Sequence, residues 1–125
     1  MKKIIETSQA PAPIGPYSQA VQVGNLLYVS GQIAIVPATG ELLLNTIEEE
    51  THQVMKNIGA ILKEANTDYS KIIKTSIFLK DMNDFAKVNG VYGGYFTSDF
   101  PARETVQVSA LPKFVNVEIT VIAIV

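Results

Sequence analysis

The spacing of apolar and turn-forming residues predicts two short strands near the start of the chain. Ala20–Val23 and Leu26–Gly31 are rich in apolar residues and flank Gly24-Asn25, a pair typical of a tight hairpin turn. Ahead of them, residues 8–16 contain three prolines and one glycine, a composition that favours an ordered loop over a helix. A further turn is expected at residues 37–40, which begin with proline and end with glycine.

A first helix is predicted to begin at Thr46. Thr46, followed three residues later by Glu49, forms a capping box, and the run Glu48–Glu50 places negative charge near the positive end of the helix dipole. Asn66 is the expected C-cap. Apolar residues recur at helical spacing between these ends, which predicts one buried face. The apolar stripe comprises Ile47, Val54, Met55, Ile58, Ile61, Leu62 and Ala65.

The remaining sequence predicts a strand, a second helix and two more strands. Ile72–Leu79 is rich in β-branched residues, and Asp84–Phe96 carries apolar and aromatic residues along one side of a helix. Three glycines weaken that helix and suggest close backbone approach to a neighbour. The last two strands are expected at Glu104–Ala110 and Val115–Val125. The order β-β-β-α-β-α-β-β predicts an α+β fold with both helices on one face of a mixed sheet.

The final strand carries apolar residues on both of its faces. The face expected to meet the helices comprises Val117, Ile119, Val121, Ala123 and Val125. The opposite face comprises Glu118, Thr120, Ile122 and Ile124. In the earlier strand, Ile72 and Phe78 are likewise expected on the face opposite Ile73, Ile77 and Leu79. Because two helices cover only one face, a second copy of the chain is expected to cover the other.

Composition and charge narrow the class of protein. The chain has 125 residues, 47% of them hydrophobic, which is the size and composition of one compact domain over residues 1–125. Its net charge of −2 provides no basic surface for a phosphate backbone, so nucleic acid is not expected as a principal partner. Zero cysteines exclude disulfides, thiolate metal sites and a cysteine nucleophile. A cytoplasmic location is expected, because no apolar run approaches a membrane span and the start does not fit a secretory signal.

Few side chains remain for chemistry. His52 is the only histidine, and its position off the apolar stripe indicates a solvated helix face. One histidine without cysteine cannot build a metal cluster, so no metal is expected. Ser30 lies outside a Gly-x-Ser-x-Gly elbow and has no second histidine to activate it as a nucleophile. No glycine-rich phosphate loop follows a strand.

Arg103 and Glu118 are the two charged residues whose settings stand out. Arg103 is the only arginine among ten basic residues, and a guanidinium binds a carboxylate in a planar, bidentate geometry that lysine cannot reproduce. Glu118 is the only acidic residue inside a strongly apolar strand, where a carboxylate must be paired or have a perturbed pKa. Arg103, on the preceding strand, is its expected charged neighbour. The pair is interpreted either as a functional site or as an interface salt bridge without catalytic duty.

Several motifs together resemble the reactive intermediate deaminase (Rid) family, most closely its RidA subgroup. The similarity covers essentially the whole chain, and the motifs are specific as a set rather than one by one. They are Ile14-Gly15-Pro16-Tyr17-Ser18-Gln19-Ala20, Ser30-Gly31-Gln32-Ile33, Lys80-Asp81-Met82-Asn83-Asp84-Phe85, Phe100-Pro101-Ala102-Arg103, Leu111-Pro112 and Val117-Glu118-Ile119.

The resemblance implies a chorismate-mutase-like fold and a homotrimer whose sheets form a central barrel, with a cleft at each subunit interface. It also implies the substrates, which are enamine and imine products of pyridoxal-phosphate dehydratases that act on serine and threonine. These would be hydrolysed to 2-keto acids and ammonia without a cofactor in the protein itself.

Residue roles follow from the matching motifs. Arg103 would hold the substrate carboxylate, and Glu118 would position or deprotonate the attacking water. Main-chain groups at Gly31 and Thr105 would hydrogen-bond the ligand, and Tyr17 would border the cleft. The implied substrate-binding residues are Tyr17, Ser30, Gly31, Asn89, Arg103 and Thr105.

One departure and two alternatives stay open. Many family members have cysteine where this chain has Thr105, so any behaviour that needs that thiol is not expected here. An endoribonuclease-like inhibitor of translation is one alternative, disfavoured by the single arginine and the negative net charge. A regulator that binds small 2-keto acids in the same cleft without turnover is the other.

Overall fold

Two α-helices pack on one face of a six-stranded mixed sheet. This is a computed structural model that describes residues 1–125. The strand order is β1-β2-β3-β6-β4-β5, and only the β4–β5 pair is parallel. The predicted α+β class, with both helices on one face, is confirmed. The elements are β1 Lys2–Ile5, β2 Ala20–Val23, β3 Leu26–Gln32, α1 Ile47–Glu64, β4 Ile72–Leu79, α2 Phe85–Gly93, β5 Ala102–Gln107 and β6 Val117–Ile124.

The first helix begins where the sequence predicts. Thr46 is the N-cap, and its Oγ1 accepts a hydrogen bond from the Glu49 backbone N–H at 3.1 Å. The C-cap is Ala65 rather than Asn66. Asn66 follows it in the left-handed region, at φ 59°, which asparagine tolerates better than most residues. Most of the predicted stripe is buried against the sheet, from Val54 to Leu62.

The second helix is shorter than predicted. It covers Phe85–Gly93 instead of Asp84–Phe96, because a 3₁₀ turn at Met82–Asp84 precedes it and the chain leaves the helix at Gly94. Glycine has a low helix propensity, which fits an end at this point. Val88 and Tyr92 are the helix residues buried in the core.

The strand boundaries differ from the prediction where pairing partners end. The structure has β5 at Ala102–Gln107 rather than 104–110, since Gln107 lies opposite Leu79, the last residue of β4. The last strand begins at Val117 because a 3₁₀ turn occupies Pro112–Phe114. The predicted order contains three strands before α1, of which the sequence located two. The remaining strand is β1, which pairs with β2 at the edge of the sheet.

A register shift in β4 reverses two expected orientations. Ile72 lies opposite Ala123 and Lys74 opposite Ile122, so Ile73 is an extra residue in this strand. As a result Ile72 is buried and Ile73 is exposed, whereas strict alternation predicts the reverse. Phe78 lies on the face away from the helices, as predicted, and packs there against a small apolar cluster that includes Ile33 and Val115.

The sheet therefore has one face covered by helices and one open face. Val117, Ile119, Val121 and Ala123 of β6 are buried under the helices, as predicted. The open face, however, presents large apolar side chains that are between 39% and 47% exposed: Ile4, Val23, Tyr28, Ile73, Val106 and Ile124. A sheet face exposed to solvent usually carries polar residues at such positions. No helix of the chain is both long and apolar enough to cross a membrane.

Candidate active site

Glu118 lies on the open face of the sheet, in the wall of a pocket. It is half-buried on β6, opposite Phe78 of β4, and the pocket has a volume of about 420 Å³. No hydrogen bond or ion pair from its own chain reaches the carboxylate. Burial raises the pKa of the Glu118 carboxyl above its ordinary value of 4.5, because desolvation disfavours the charged form. A carboxylate in this setting is prepared to accept a proton.

Gly31 is packed directly against that carboxylate. The β3–β6 pairing shifts register between Val29 and Gln32, which brings the backbone of Gly31 over Glu118. A methyl group added at Gly31 would lie 2.5 Å from Glu118 Oε2 and 2.8 Å from Cδ. Only glycine leaves the carboxylate in this position, which explains the glycine in the Ser30-Gly31-Gln32 motif.

Ser30 fastens the loop that carries Tyr17. The Ser30 hydroxyl donates to the Ser18 carbonyl at 2.6 Å, and the Ser30 backbone N–H donates to the Gln19 carbonyl at 2.9 Å. Tyr17 is exposed at the pocket rim, where its hydroxyl accepts a hydrogen bond from the Ile14 N–H at 3.2 Å. Tyr17, Ser30, Gly31 and Glu118 thus line one pocket, as the motifs imply.

Gln19 holds the proline-rich loop over the same pocket. Its side chain is buried; Oε1 accepts from the Thr7 N–H at 2.7 Å, and Nε2 donates to the carbonyls of Thr7, Ala10 and Pro11. Four hydrogen bonds from one amide give the loop order without secondary structure. The expectation of an ordered loop at residues 8–16 is confirmed by this network.

Arg103 lies on β5 beneath α2, in a second pocket of about 360 Å³. Its Nη1 donates to Asn89 Oδ1 at 2.7 Å, and its guanidinium carbon lies 5.7 Å from the Phe85 ring centroid and 5.3 Å from that of Tyr92. These contacts fix the plane of the guanidinium. No carboxylate of the chain lies within 4.0 Å of it, since the only ion pair joins Lys74 and Glu104. Its positive charge is therefore available to a ligand.

Thr105 is the neighbour of Arg103 on the same side of β5. Thr105 lies opposite Ile77 of β4 and Arg103 lies opposite Thr75, and both β4 residues are buried under the helices. The Thr105 hydroxyl is buried and has no hydrogen-bond partner in the chain. Arg103, Asn89 and Thr105 form the second cluster of predicted site residues.

The two clusters lie on opposite faces of one sheet. Arg103 is level with Thr75 and Glu118 with Phe78, and β4 separates their strands. With about 4.8 Å between strands and about 3.3 Å per residue along them, their Cα atoms are about 14 Å apart. Arg103 is therefore not the neighbour of Glu118 within a chain, and the expectation from strand succession is wrong. The reason is that β4 is inserted between β5 and β6.

His52 and the acidic side chains show no arrangement of the kind that binds a metal ion. His52 is exposed on α1, as predicted, and shares a hydrogen bond of 2.8 Å with the Tyr95 hydroxyl. The structure brings together no group of three or more histidine, aspartate or glutamate side chains that could hold a metal ion.

The burial of Glu50 is not predicted from the sequence. The sequence analysis assigns it only to the acidic run near the N-terminus of α1, but it is fully buried. The signal was present, because Glu50 precedes Val54 by four residues and Ile58 by eight, which puts it on the apolar stripe. The aromatic contacts that Phe85 and Tyr92 make with Arg103 were missed as well.

Comparison with known proteins identifies the family. The chain belongs to the endoribonuclease L-PSP family, whose sequence model matches residues 7–125. It is 51% identical over 124 residues to a 2-iminobutanoate/2-iminopropanoate deaminase of Bos taurus, covering 99% of this chain and 90% of the relative. It is 54% identical over 121 residues to a putative regulator, AldR, of Lactococcus lactis, covering 97% and 96%. A crystal structure of a Rid family protein from Yersinia pestis superimposes with a TM-score of 0.98 at 54% identity over the full length of both chains. The predicted membership of the Rid family is confirmed.

Proposed function

We propose that this chain is a cytoplasmic, single-domain deaminase that hydrolyses 2-imino acids to 2-keto acids and ammonia in clefts between the subunits of a homotrimer. One observation carries the proposal: Arg103 and Glu118 each lack a charged partner in their own chain and lie on opposite faces of the sheet. The name of the Bos taurus relative supplies the reaction and the substrates, 2-iminobutanoate and 2-iminopropanoate.

Arg103 binds the substrate carboxylate in this proposal. Asn89 occupies Nη1 of the guanidinium, and the remaining N–H groups can pair with two carboxylate oxygens. The rings of Phe85 and Tyr92 hold the guanidinium plane, so the substrate binds in one orientation. An oriented substrate reduces the entropy that the reaction must lose on the way to the transition state.

Glu118 acts as the general base. A protonated imine is already electrophilic at C2, so the reaction needs a positioned water more than a strong nucleophile. The water oxygen bonds to C2 while Glu118 takes one of its protons. That proton is returned to the nitrogen of the tetrahedral adduct. The C–N bond then breaks with its electron pair going to nitrogen, and the hydroxyl group at C2 gives its remaining proton to Glu118 as the C=O bond forms. The products are ammonia and a 2-keto acid. The raised pKa of Glu118 suits both the uptake and the return of the proton.

Contact between subunits would bring both clusters to one substrate, and the proposed number of subunits, three, is the one that the family resemblance implies. Since a single chain holds the clusters on opposite faces, the open face of one subunit would meet the β5 edge of another. The exposed apolar side chains of the open face support such an interface, because large exposed apolar patches often mark sites of protein–protein contact. Each cleft would then take Glu118 from one subunit and Arg103 from its neighbour.

The proposed reaction is tested by coupling the protein to a threonine dehydratase, which releases 2-iminobutanoate. We expect the rate of 2-ketobutyrate formation to rise in proportion to the protein added, and an Arg103→Ala variant to give only the uncatalysed rate. Binding of 2-ketobutyrate without any acceleration would instead support the regulator. RNA cleavage that persists in the Arg103→Ala preparation would indicate contamination rather than an endoribonuclease.

A further inference from the structure

The carboxylate of Glu50 is buried and accepts three hydrogen bonds, and it takes no part in the proposed reaction. The side chain is fully buried in the first turns of α1. Oε2 accepts from the backbone N–H groups of Asn116 at 2.8 Å and Val117 at 3.1 Å, and Oε1 accepts from Asn116 Nδ2 at 2.8 Å. No cation lies within 4.0 Å of it. A buried carboxylate without an ion pair is unusual, and three N–H donors account for its tolerance.

The groups that Glu50 binds are the start of β6. Val117 is the first residue of that strand, and Glu118 is the next. The carbonyl of Asn116 accepts from the Lys80 N–H at 3.0 Å, so the same short segment is also tied to the end of β4. Glu50 therefore binds the backbone at the start of β6, directly before Glu118, the proposed base.

The turn that precedes this segment has a disfavoured backbone conformation. Lys113 and Phe114 both lie in the left-handed region, at φ 54° and 55°, which residues with a Cβ rarely adopt. Pro112, in the same turn, lines the pocket of Glu118. Contacts beyond the turn keep it from relaxing and shifting the strand that follows: Val115 is fully buried in a small apolar cluster, and Glu50 binds the next two backbone N–H groups, those of Asn116 and Val117.

We infer that Glu50 is a positioning residue for Glu118: through the Asn116 and Val117 N–H groups, it holds the start of β6 so that the Glu118 carboxylate stays against Gly31. The inference rests on the proposed function, in which Glu118 is the base. The Glu118 carboxylate is packed against the backbone of Gly31, so a small displacement of β6 changes its place in the pocket. Glu50 binds Asn116 and Val117, whereas Arg103 binds Asn89, so Glu50 should not affect how the substrate carboxylate is held.

The test compares Glu50→Met with Glu50→Gln. Methionine fills the space but leaves the two N–H groups of the strand without an acceptor, whereas glutamine keeps an oxygen for them and can pair its NH₂ with Asn116 after the Asn116 amide turns over. We expect Glu50→Met to lower kcat about tenfold with KM changed less than about twofold, and to shift the acid limb of the kcat–pH profile. Glu50→Gln should restore kcat to within about twofold of the unaltered protein. Glu48→Met, the same change at an exposed residue in the same turn, is the matched control and should change neither kcat nor its pH profile.

A second readout separates this inference from the proposed function. The pKa of the Glu118 carboxyl, followed by ¹³C NMR in the unaltered protein and in each variant, does not depend on turnover. If Glu50→Met lowers melting temperature but leaves kcat and the Glu118 titration unchanged, Glu50 is structural only and the inference is wrong. If the unaltered protein has no turnover, the proposed function fails while the NMR comparison still decides the positioning role. Should Glu50→Met fail to fold, Asn116→Ala, which removes one of the three hydrogen bonds, is expected to shift the Glu118 titration relative to the unaltered protein, and no shift would overturn the inference.

Discussion

Replacing Glu118 with glutamine should reduce kcat by at least about 100-fold, since general-base catalysis contributes about that much or more. Glutamine matches the shape of glutamate and keeps its hydrogen-bonding capacity, but it cannot accept a proton near neutral pH. The variant should fold, assemble and still bind 2-ketobutyrate, because Arg103 holds the carboxylate. Turnover, oligomer mass and 2-ketobutyrate affinity measured on one sample distinguish loss of the base from loss of the cleft.

The pH dependence of the unaltered protein supplies the control for this result. A general base works only when ionised, so kcat falls as pH drops through the pKa of Glu118 in the substrate complex. Burial raises the pKa of the Glu118 carboxyl above its ordinary value of 4.5, whereas the positive charges of Arg103 and of the protonated imine favour the ionised carboxylate and act in the opposite direction. The acid limb of kcat should be present in the unaltered protein and absent in Glu118→Gln. A folded, fully active Glu118→Gln protein would remove Glu118 from the mechanism.

Replacing Arg103 with lysine should reduce kcat/KM by more than about tenfold, which corresponds to a loss of about 1.4 kcal/mol of transition-state stabilisation. The charge is kept, but the planar fork and its contacts with the rings of Phe85 and Tyr92 are lost. Lysine also cannot donate to Asn89 and to both carboxylate oxygens in one plane. Steady-state kinetics with 2-iminobutanoate check this.

Asn89→Ala is the companion variant. It removes the hydrogen bond to Arg103 Nη1 but leaves the guanidinium, so its loss of kcat/KM should be smaller than that of Arg103→Lys. Turnover close to normal in Arg103→Lys would mean that another group holds the substrate carboxylate.

Local pattern was enough to predict the elements that depend on neighbours in sequence. The hairpin around Gly24-Asn25 and the start of α1 at Thr46 follow from turn and capping chemistry that involves a few consecutive residues. The apolar second face of β6 also correctly indicated a sheet face that the helices leave open. Each of these features depends on residues that lie close together in the sequence.

Features that depend on strand order were out of reach. The position of β4 between β5 and β6 separates Arg103 from Glu118, and the register of these strands places the two residues on opposite faces. Nothing in the residues around either one encodes that strand order. The extra residue at Ile73 likewise appears only when β4 is paired with β6. Both site clusters could be proposed from motifs, but their division between two faces required the sheet.

The division of the site between subunits can be measured by mixing two inactive variants. Light scattering should first give three times the 13.6 kDa chain mass for each variant. Arg103→Ala and Glu118→Gln chains are then unfolded, combined in equal amounts and refolded together. Random assembly gives about one quarter of the clefts an intact Arg103 from one chain and an intact Glu118 from the other, so about one quarter of the unaltered activity should return.

A control mixture establishes that subunits have exchanged. Unaltered chains refolded with the Arg103→Ala/Glu118→Gln double variant should lose about half of their activity if each cleft needs two chains. The account predicts both results: recovery to about one quarter in the first mixture and a loss of about half in the second. No recovery in the first mixture, with no loss in the second although tagged subunits are found together, would contradict it and place both residues of each site in a single chain.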